Sequence, residues 1–286
     1  ANADDPAVTH AAGSHRGETI FFGVEDSTGD GPDEWADATL CPVCGAMLDY
    51  ARVNYAHLGY YECLDCGFAR PEARVVARDI ERHGLEATSF VVEADGERLP
   101  VRLRLPGTYN VYNAVGAMAV AGAMGAGGEV MRRTLEGFAP AFGRAEEARV
   151  DGQHLTLLLI KNPTGANEVI RSLAGLEGEE DYLVLLNDQV ADGEDVSWIW
   201  DVDFGRLRPR SLVVSGRRAA DMALRLKYAG LDPVRGIATE PDLAAALDRA
   251  LAGATGRLYV LTTYTAMLEF RALLVRRGAL REYWQE

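Results

Sequence analysis

The second half of the chain is built from apolar runs that alternate with stretches of helical spacing. From about residue 149 onward, this alternation predicts a parallel sheet covered by helices, and therefore an α/β fold. The predicted strands are 154–160, 182–186, 211–215 and 258–262, and the predicted helices are 168–176, 217–229, 242–251 and 265–277.

The first half has a different pattern. Short alternating or β-branched runs separated by Gly or Asp predict antiparallel strands, at 74–78, 89–93 and 97–105, after a strand-like run at 19–24. Beyond Pro106-Gly107, a segment rich in Ala, Gly and Val predicts a buried helix at 109–124, and a second helix is predicted at 129–138. Residues 140–143 read as a linker, so we expect two domains, 1–143 and 144–286.

Composition narrows the possible functions. The 286 residues are 48% hydrophobic and 25% charged, as in ordinary globular proteins, and no apolar run approaches the roughly 18 residues of a membrane span. A net charge of -14 argues against nucleic-acid binding, because that binding depends on Lys and Arg neutralising phosphates.

The two lysines, Lys161 and Lys227, do not follow a glycine, so the chain has no phosphate-binding G-x-x-x-x-G-K-[ST] loop. Any nucleotide chemistry must use such a loop from elsewhere.

The first residues show neither a secretion signal nor an initiator Met. They read like the interior of a domain. We therefore expect the chain to start after an N-terminal stretch that is absent from it.

All four cysteines fall into two C-x-x-C pairs, with 18 residues between the pairs. This spacing predicts a zinc ribbon inserted at 38–71, because four thiolates close a tetrahedral, purely structural Zn²⁺ site. The expected ligands are Cys41, Cys44, Cys63 and Cys66. Two disulfides or a redox pair are the alternative, and His57 is a weaker candidate ligand because four thiolates already fill the site. A ribbon that binds nucleic acid is a further alternative, but acidic residues offset its arginines and leave no basic stripe.

Two carboxamides three residues apart, Asn110 and Asn113, stand at the start of the predicted helix at 109–124. This spacing places them on one helical face beside the free N–H groups of the first turn, where a nucleotide could bind. The alternative is that Asn110 only caps the helix.

Three stretches of the chain resemble the Mur ligase family. Gly107-Thr-Tyr-Asn110-Val-Tyr-Asn113 is similar to the G-x-[HY]-N-x-x-N signature that closes the central ATP-binding domain of these enzymes. Asn-Ala-Asp-Asp-Pro (2 to 6) looks like their motif after a central strand, and Gly143-Arg144-Ala-Glu146 resembles their linker G-R-x-E. The resemblance implies the C-terminal part of a Mur ligase central domain, followed by a Rossmann-like C-terminal domain. It also implies that Asn110, Asn113 and Arg144 face ATP and its Mg²⁺.

Within this family, the four-cysteine insertion and the stretch Asp195-Val-Ser-Trp-Ile-Trp-Asp201 resemble the MurT type. That resemblance implies a subunit that uses ATP and ammonia to convert the D-glutamate of the lipid II stem peptide to D-isoglutamine, in the cytoplasm at the inner face of the membrane. The ammonia would come from a GatD-type glutaminase partner. Another Mur-type amide ligase and a non-catalytic zinc-ribbon module are the alternatives.

The MurT resemblance also implies roles for residues of the second domain. An aspartate would enter the partner's catalytic triad and orient its histidine. Asp195 is our candidate, with Asp188, Asp192 and Asp201 as rivals. In the Mur ligases the first strand of this domain ends in D-x-A-H-N-P, whereas this chain reads Leu159-Ile-Lys161-Asn162-Pro163, which keeps Asn-Pro and replaces the acid and the histidine. The resemblance implies that Lys161 and Asn162 face the nucleotide from the second domain, and Lys161 could stabilise a developing acyl phosphate. The alternatives are a plain strand-to-helix turn at 162–165, and capping of a following helix by Asp195 or Ser197. Trp198 and Trp200 could form a docking surface, although a core position is expected for at least one of them.

Overall fold

The structure is a computed structural model that describes residues 1–25, 39–138, 144–231 and 236–281. The chain divides into two compact units, Ala1–Ala139 and Pro140–Glu286. The predicted linker at 140–143 lies outside the described residues, as does the side chain of Arg144. In the described part of the chain, every helix is too short or too polar to cross a membrane.

The first unit is organised around a four-stranded sheet and a separate hairpin. Its elements are α1 (Pro6–Ala12), β1 (Phe22–Val24), β2 (Asp49–Tyr55), β3 (Leu58–Glu62), β4 (Val75–His83), β5 (Ala87–Ala94), β6 (Glu97–Leu103), α2 (Thr108–Ala123) and α3 (Gly128–Glu136). The sheet has the order β1-β4-β5-β6, and β2 pairs with β3. Strands β4, β5 and β6 are antiparallel as predicted, whereas β1 runs parallel to β4.

Helix α2 forms the core of this unit together with the sheet. Val111 and Val115 of α2 are fully buried and join one apolar cluster with Phe90 and Val92 of β5. The small residues of α2 permit a close approach, as expected: a Cβ on Gly116 would lie 3.0 Å from the ring of Phe22. The predicted buried helix is confirmed at this position.

The second unit is a six-stranded sheet with helices between its strands. Its elements are β7 (Arg144–Val150), β8 (Gln153–Leu159), α4 (Pro163–Ala174), β9 (Glu180–Leu185), β10 (Pro209–Ser215), α5 (Ala219–Tyr228), β11 (Ile237–Thr239), α6 (Leu243–Gly253), β12 (Leu258–Thr262) and α7 (Tyr264–Arg276). Short 3-10 helices lie at Ser197–Asp201 and Phe204–Arg206. The order is β11-β10-β9-β12-β8-β7, and all neighbours are parallel except β7, which is antiparallel to β8.

The strand order places a switch point between β9 and β12. After β9 the chain continues to β10 on one side, whereas β12 follows β11 in sequence but pairs on the opposite side of β9. Open α/β sheets bind ligands outside the carboxyl ends of their strands at such a point. The segments that follow β8, β9 and β12 are therefore the candidate site of this unit.

At the other end of this sheet, a buried carboxylate joins β9, β10 and the turn before β12. Asp181 is fully buried and accepts hydrogen bonds from Arg210 Nη2 (2.9 Å), Ser211 Oγ (2.7 Å) and the amide of Thr255 (3.0 Å). Burial alone would raise the pKa of Asp181, but these hydrogen bonds outweigh that effect and lower it. The ionised form therefore stabilises the folded unit.

We expect Asp181→Asn to lower the free energy of unfolding at pH 7 by about 2 kcal/mol, the scale of a hydrogen bond to a charged group. Because the folded pKa is depressed, the stabilisation is complete above the unfolded pKa of about 3.9 and is lost as the pH falls through the folded value. Urea unfolding at several pH values should show the variant and the parent protein converging in acid. Asp248→Asn is the control, because Asp248 pairs with Arg277 at the exposed surface and should contribute little. A gap that stays constant below pH 3 would contradict this assignment.

Candidate active site and metal centre

The four cysteines converge next to the open end of the β2–β3 hairpin, where Asp49 pairs with Glu62. Their Sγ atoms all lie within 4.8 Å of one another, with 3.6 Å between Cys41 and Cys66 and 3.5 Å between Cys44 and Cys63. These distances are close to the roughly 3.8 Å edge of a tetrahedron with Zn–S bonds of about 2.3 Å, and far longer than a disulfide bond. All four thiols are free. The donor set therefore fits a metal ion with four thiolate ligands.

The two knuckles have the same backbone geometry. The amides of Gly45 and Gly67 donate to the carbonyls of Cys41 and Cys63, both at 2.9 Å, and both glycines have positive φ, of 79° and 75°. Only glycine adopts this conformation at little cost. Desolvation raises the pKa of the Cys41 thiol, but amide hydrogen bonds from Cys44 and Val43 outweigh it and lower the pKa to about 7.

His57 stands apart from this cluster. Its Nε2 lies 3.5 Å from a carboxylate oxygen of Asp5. The group of four side chains that could hold a metal consists of the cysteines and does not include His57.

The two asparagines of α2 differ in exposure. Asn110 is buried, with 1% of its surface exposed, and its Nδ2 donates to the carbonyl of Pro106 at 2.7 Å. Asn113 is exposed. The helix begins at Thr108 with Gly107 as its N-cap, so the interpretation of Asn110 as the cap is wrong; its carboxamide instead closes the first turn from inside. Asn113 is the carboxamide of the pair that is open to a ligand.

A buried carboxylate, Asp4, joins the two motif stretches of this unit, a link that the sequence did not reveal. Asp4 accepts hydrogen bonds from Tyr112 Oη (2.6 Å), Arg70 Nε (2.6 Å), the amide of Val24 (2.9 Å) and Asn54 Nδ2 (3.3 Å). Tyr112 lies between Asn110 and Asn113, so the turn at residues 2 to 6 directly contacts α2, the helix that carries both asparagines. The partners are distant in sequence, and no local pattern identifies them.

In the second unit, Lys161 and Asn162 follow the carboxyl end of β8. Asn162 caps α4: its Oδ1 accepts a hydrogen bond from the amide of Gly165 at 2.8 Å, and Pro163 occupies the first helical turn. The segment is therefore a strand-to-helix turn, and α4 begins five residues earlier than predicted. Lys161 is exposed at the edge where β9 and β12 also end, which leaves its ammonium group available.

The four candidate aspartates have different surroundings. Asp192 is buried and accepts hydrogen bonds from the amide and hydroxyl of Thr265, so it holds its loop against the start of α7. Asp188 pairs with Arg217 at 3.0 Å and Arg218 at 3.2 Å, and these partners lower its pKa. Asp201 is half-buried.

Asp195 is exposed, and its carboxylate accepts a hydrogen bond from the amide of Ser197 at 2.8 Å. Hydrogen bonds from Ser197 lower the pKa of Asp195. The N-cap of the short 3-10 helix is Val196, so the alternative that Asp195 or Ser197 caps it is wrong; Asp195 holds the amide of the first helical residue and at the same time presents an ionised oxygen to solvent.

The two tryptophans of this 3-10 helix, which follow Asp195 in the chain, both reach the surface. Trp198 is half-buried and Trp200 is 47% exposed, so the expectation that one of them occupies the core is wrong. Ile199, 1% exposed, takes the core position instead. Trp200 packs edge-on against Tyr228, itself 73% exposed, at 5.7 Å. Together they form an exposed aromatic patch of the kind that is enriched at protein interfaces.

Comparisons with known proteins identify relatives of both units. Residues 159–267 match the family described as MurT ligase C-terminal. The chain is 34% identical to the MurT subunit of lipid II isoglutaminyl synthase (glutamine-hydrolyzing) from Streptococcus pneumoniae, over 86% of this chain and 55% of the relative. It is 31% identical to the corresponding subunit of Staphylococcus aureus, over 81% of this chain and 52% of the relative. The chain thus spans about half the length of these curated relatives.

Solved structures show the same fold. A pseudomurein peptide ligase type C from Methanothermus fervidus is similar with a TM-score of 0.70 at 19% identity, covering 97% of this chain and 56% of that one. MurF from Acinetobacter baumannii gives a TM-score of 0.57 at 23% identity, covering 71% of this chain and 46% of that one. The fold is therefore a Mur-ligase-like α/β fold. The C-terminal region of the chain thus matches the MurT ligase C-terminal family, and curated MurT subunits align with most of its length.

Proposed function

We propose that this chain is part of an ATP-dependent, glutamine-using synthase that converts the D-glutamate of the lipid II stem peptide to D-isoglutamine. The observation that carries the proposal is the alignment with the MurT subunit of lipid II isoglutaminyl synthase from Streptococcus pneumoniae. This alignment extends over 249 residues. The reaction would take place in the cytoplasm, at the inner face of the membrane where the lipid-linked substrate lies.

The proposed chemistry has two steps. The substrate carboxylate attacks the γ-phosphate of ATP, which gives an acyl phosphate and ADP with Mg²⁺ neutralising the phosphates. Ammonia then attacks the acyl carbon, the C–O bond to phosphate breaks, and phosphate leaves. Positioning and exclusion of water are the contributions expected of the protein, because the acyl phosphate would otherwise hydrolyse.

Residues of both units have proposed roles in these steps. Exposed Asn113 binds the nucleotide, while buried Asn110 holds the first turn of α2 in shape. For Arg144, the resemblance to the Mur ligase linker implies a role in nucleotide binding. Asn162 fixes the turn after β8 by capping α4, and this turn presents Lys161 to the developing negative charge.

The proposed domains are a partial Mur ligase central domain at 1–143, with a zinc ribbon at 38–71, and a Rossmann-like C-terminal domain at 144–286. The strand order with its switch point between β9 and β12 supports the second assignment. The tetrahedral spacing of four thiols supports zinc as the metal.

We further propose a GatD-type glutaminase as the partner that supplies ammonia. Asp195 supports this, because it is an exposed and ionised carboxylate five residues before Trp200, which belongs to an exposed aromatic patch. A carboxylate so placed can orient a histidine in another subunit.

The proposal is tested with the full-length protein and its co-purified glutaminase, supplied with lipid II, ATP and glutamine. Mass spectrometry should show one carboxamide in place of one carboxylate, dependent on ATP and on glutamine. Addition of an amino acid to the stem peptide without any need for glutamine would identify a different Mur-type ligase. A complex that leaves lipid II and ATP unchanged would support the non-catalytic zinc-ribbon alternative.

In that assay, Lys161→Met should lower kcat for amidation by about 10²-fold, the scale found when one charge-stabilising group is removed from a preorganised site. Glutamine hydrolysis should be retained, because it takes place in the partner. The matched control is Lys227→Met, since Lys227 is the other lysine of the chain and is exposed on α5. Equal amidation by the two variants would remove Lys161 from the proposed site.

A further inference from the structure

The β2–β3 hairpin and Arg70, four residues after Cys66, contact the turn at residues 2 to 6 at several points. The amide of Gly59 donates to the carbonyl of Asp4 at 3.0 Å, and Tyr61 Oη donates to the carbonyl of Ala3 at 3.1 Å. Arg70 Nε donates to Asp4 Oδ1 at 2.6 Å. These elements flank the cysteine knuckles, so this turn is one of the points that fasten the ribbon to the rest of the first unit, besides the ring contact of Tyr55 on β2 with Tyr109 on α2 and the hydrogen bond from Asn54 Nδ2 to the carbonyl of Val24.

The buried carboxylate of Asp4 depends on its contacts with the ribbon region. Its side chain is fully buried, and a buried carboxylate is costly unless a cation and hydrogen-bond donors compensate it. Arg70 is the cation, with 8% of its side chain exposed. Asn54 of β2 adds a donor at 3.3 Å. Two of the four groups that satisfy Asp4 therefore come from the ribbon region.

The residues around Arg70 fix the position of its guanidinium. The guanidinium of Arg70 lies 4.0 Å from the ring centroid of Tyr60, and that of Arg52 lies 4.3 Å from the same ring. On the other side, a Cβ on Gly23 would lie 2.6 Å from both Arg70 Nη2 and Asp4 Oδ1. Glycine at position 23 is thus required for the ion pair to form, and Tyr60 holds the guanidinium in place.

The other carboxylate oxygen of Asp4, Oδ2, contacts helix α2, which carries Asn110 and Asn113. Tyr112 Oη donates to Asp4 Oδ2 at 2.6 Å, and Asn54 Nδ2 also lies 3.3 Å from Tyr112 Oη. Tyr112 lies on α2 between Asn110 and Asn113, one turn after the helix begins. A shift of Asp4 would therefore move the helical turn that carries the proposed nucleotide-binding carboxamide.

We propose that the ribbon positions the nucleotide-binding end of α2, with Arg70, Asp4 and Tyr112 as the connecting residues. The state of the four-cysteine site is transmitted through Arg70 to Asp4, and from Asp4 through Tyr112 to the first turns of α2. Arg70 and Tyr112 are positioning residues that act on Asn113 and do not themselves contact ATP. The part of this inference that concerns ATP rests on the proposed function, whereas the link between ribbon and helix does not.

Hydrogen–deuterium exchange of the full-length protein tests the link independently of catalysis. Zinc removal by a chelator should accelerate exchange in residues 108–115 as well as in the ribbon. Arg70→Met should accelerate exchange in 108–115 while the protein keeps its full zinc content, and Arg70→Lys, which retains the charge, should restore part of the protection. The control is Arg74→Met, because Arg74 pairs with Asp95 and Glu18 at the surface. Unchanged exchange in 108–115 in zinc-replete Arg70→Met would overturn the proposal.

Tyr112→Phe provides the second test, because it removes the hydroxyl that Asp4 accepts and leaves the charges and the ribbon intact. In this variant, zinc removal should no longer affect 108–115 beyond the effect of the substitution itself. An undiminished response of the helix would overturn the link even where Arg70→Met fails to fold. In the amidation assay, the factor by which Tyr112→Phe raises KM for ATP should be about ten times the factor by which it lowers kcat, as expected for a misplaced binding group. A complex without amidation activity refutes the proposed function, whereas unaltered exchange refutes the link.

Discussion

Replacing Asp195 with asparagine should lower glutamine hydrolysis by the assembled complex by up to about 10⁴-fold, the loss observed when the carboxylate of a catalytic triad is neutralised. The carboxylate is exposed, and hydrogen bonds from Ser197 keep it ionised by lowering its pKa. Asparagine has the same shape but carries no charge, so it would favour the wrong tautomer of the partner's histidine. The measurement is glutamate release by the complex with saturating glutamine.

Two controls separate this role from damage to the fold. Amidation with ammonium chloride as nitrogen source should persist in Asp195→Asn, because free ammonia bypasses the glutaminase. Asp203→Asn should retain hydrolysis, since Asp203 is an exposed aspartate of the same loop that pairs locally with Arg206. If Asp195→Asn hydrolyses glutamine at the parent rate, the role passes to a rival.

The rivals make different predictions because their surroundings differ. Asp192 is bound to Thr265 at the start of α7, so Asp192→Asn should loosen the loop and lower stability together with activity. Asp188 is neutralised by Arg217 and Arg218, which makes it a poor partner for a further imidazolium. Among the four aspartates, Asp195 combines exposure with a lowered pKa and without an arginine partner at hydrogen-bond distance in the described residues.

The central strands of the second unit could be predicted because they are buried along most of their length. Strand β12, Leu258–Thr262, coincides with its prediction, and every one of its residues is buried. The edge strand β7 was missed because its sequence, R-A-E-E-A-R-V, carries charges at alternating and adjacent positions, and a bulge between Arg144 and Glu146 shifts its register. Its apolar signal is too weak for a pattern of period two to emerge.

The start of α4 shows a second limit of sequence patterns. The helix was predicted to begin at Glu168, whereas it begins at Pro163. Its first turn is fixed by the cap from Asn162 and by proline, which contribute no apolar face. A reading that followed the capping residue would have found the correct boundary.

The candidate sites were predictable to the extent that they are local in sequence. The cysteine ligands follow from the spacing within and between two knuckles, and the structure brings all four together. The hydrogen-bond network around Asp4 does not follow from local spacing, because its members Asn54, Arg70 and Tyr112 lie 50, 66 and 108 residues from Asp4 along the chain. Side chains that meet only through tertiary packing leave no periodic signal.

Substitution of a metal ligand should have the other large effect, the loss of the folded ribbon. The apolar cluster around the site is small, with Leu48 and Tyr61 as its buried members besides Cys41 and Cys63. A core of this size cannot offset the conformational entropy of the segment, and binding of structural zinc contributes about 10 kcal/mol or more in small zinc domains. Cys63→Ser should therefore abolish zinc binding and unfold the ribbon, as seen by metal content per chain and by exchange in residues 41–66.

The matched control is His57→Asn, which removes the imidazole that the sequence left open as a weaker ligand. His57 lies beside Asp5, outside the cysteine cluster, so the variant should keep a full complement of zinc and a folded ribbon. Zinc loss in His57→Asn, or zinc retention in Cys63→Ser, would contradict a site made of four thiolates. Because Arg70 follows Cys66 by four residues and pairs with buried Asp4, the unfolding caused by Cys63→Ser should also leave that carboxylate without its cation. Cys63→Ser is accordingly expected to destabilise the whole first unit, which thermal unfolding of the variant would show as a lowered midpoint.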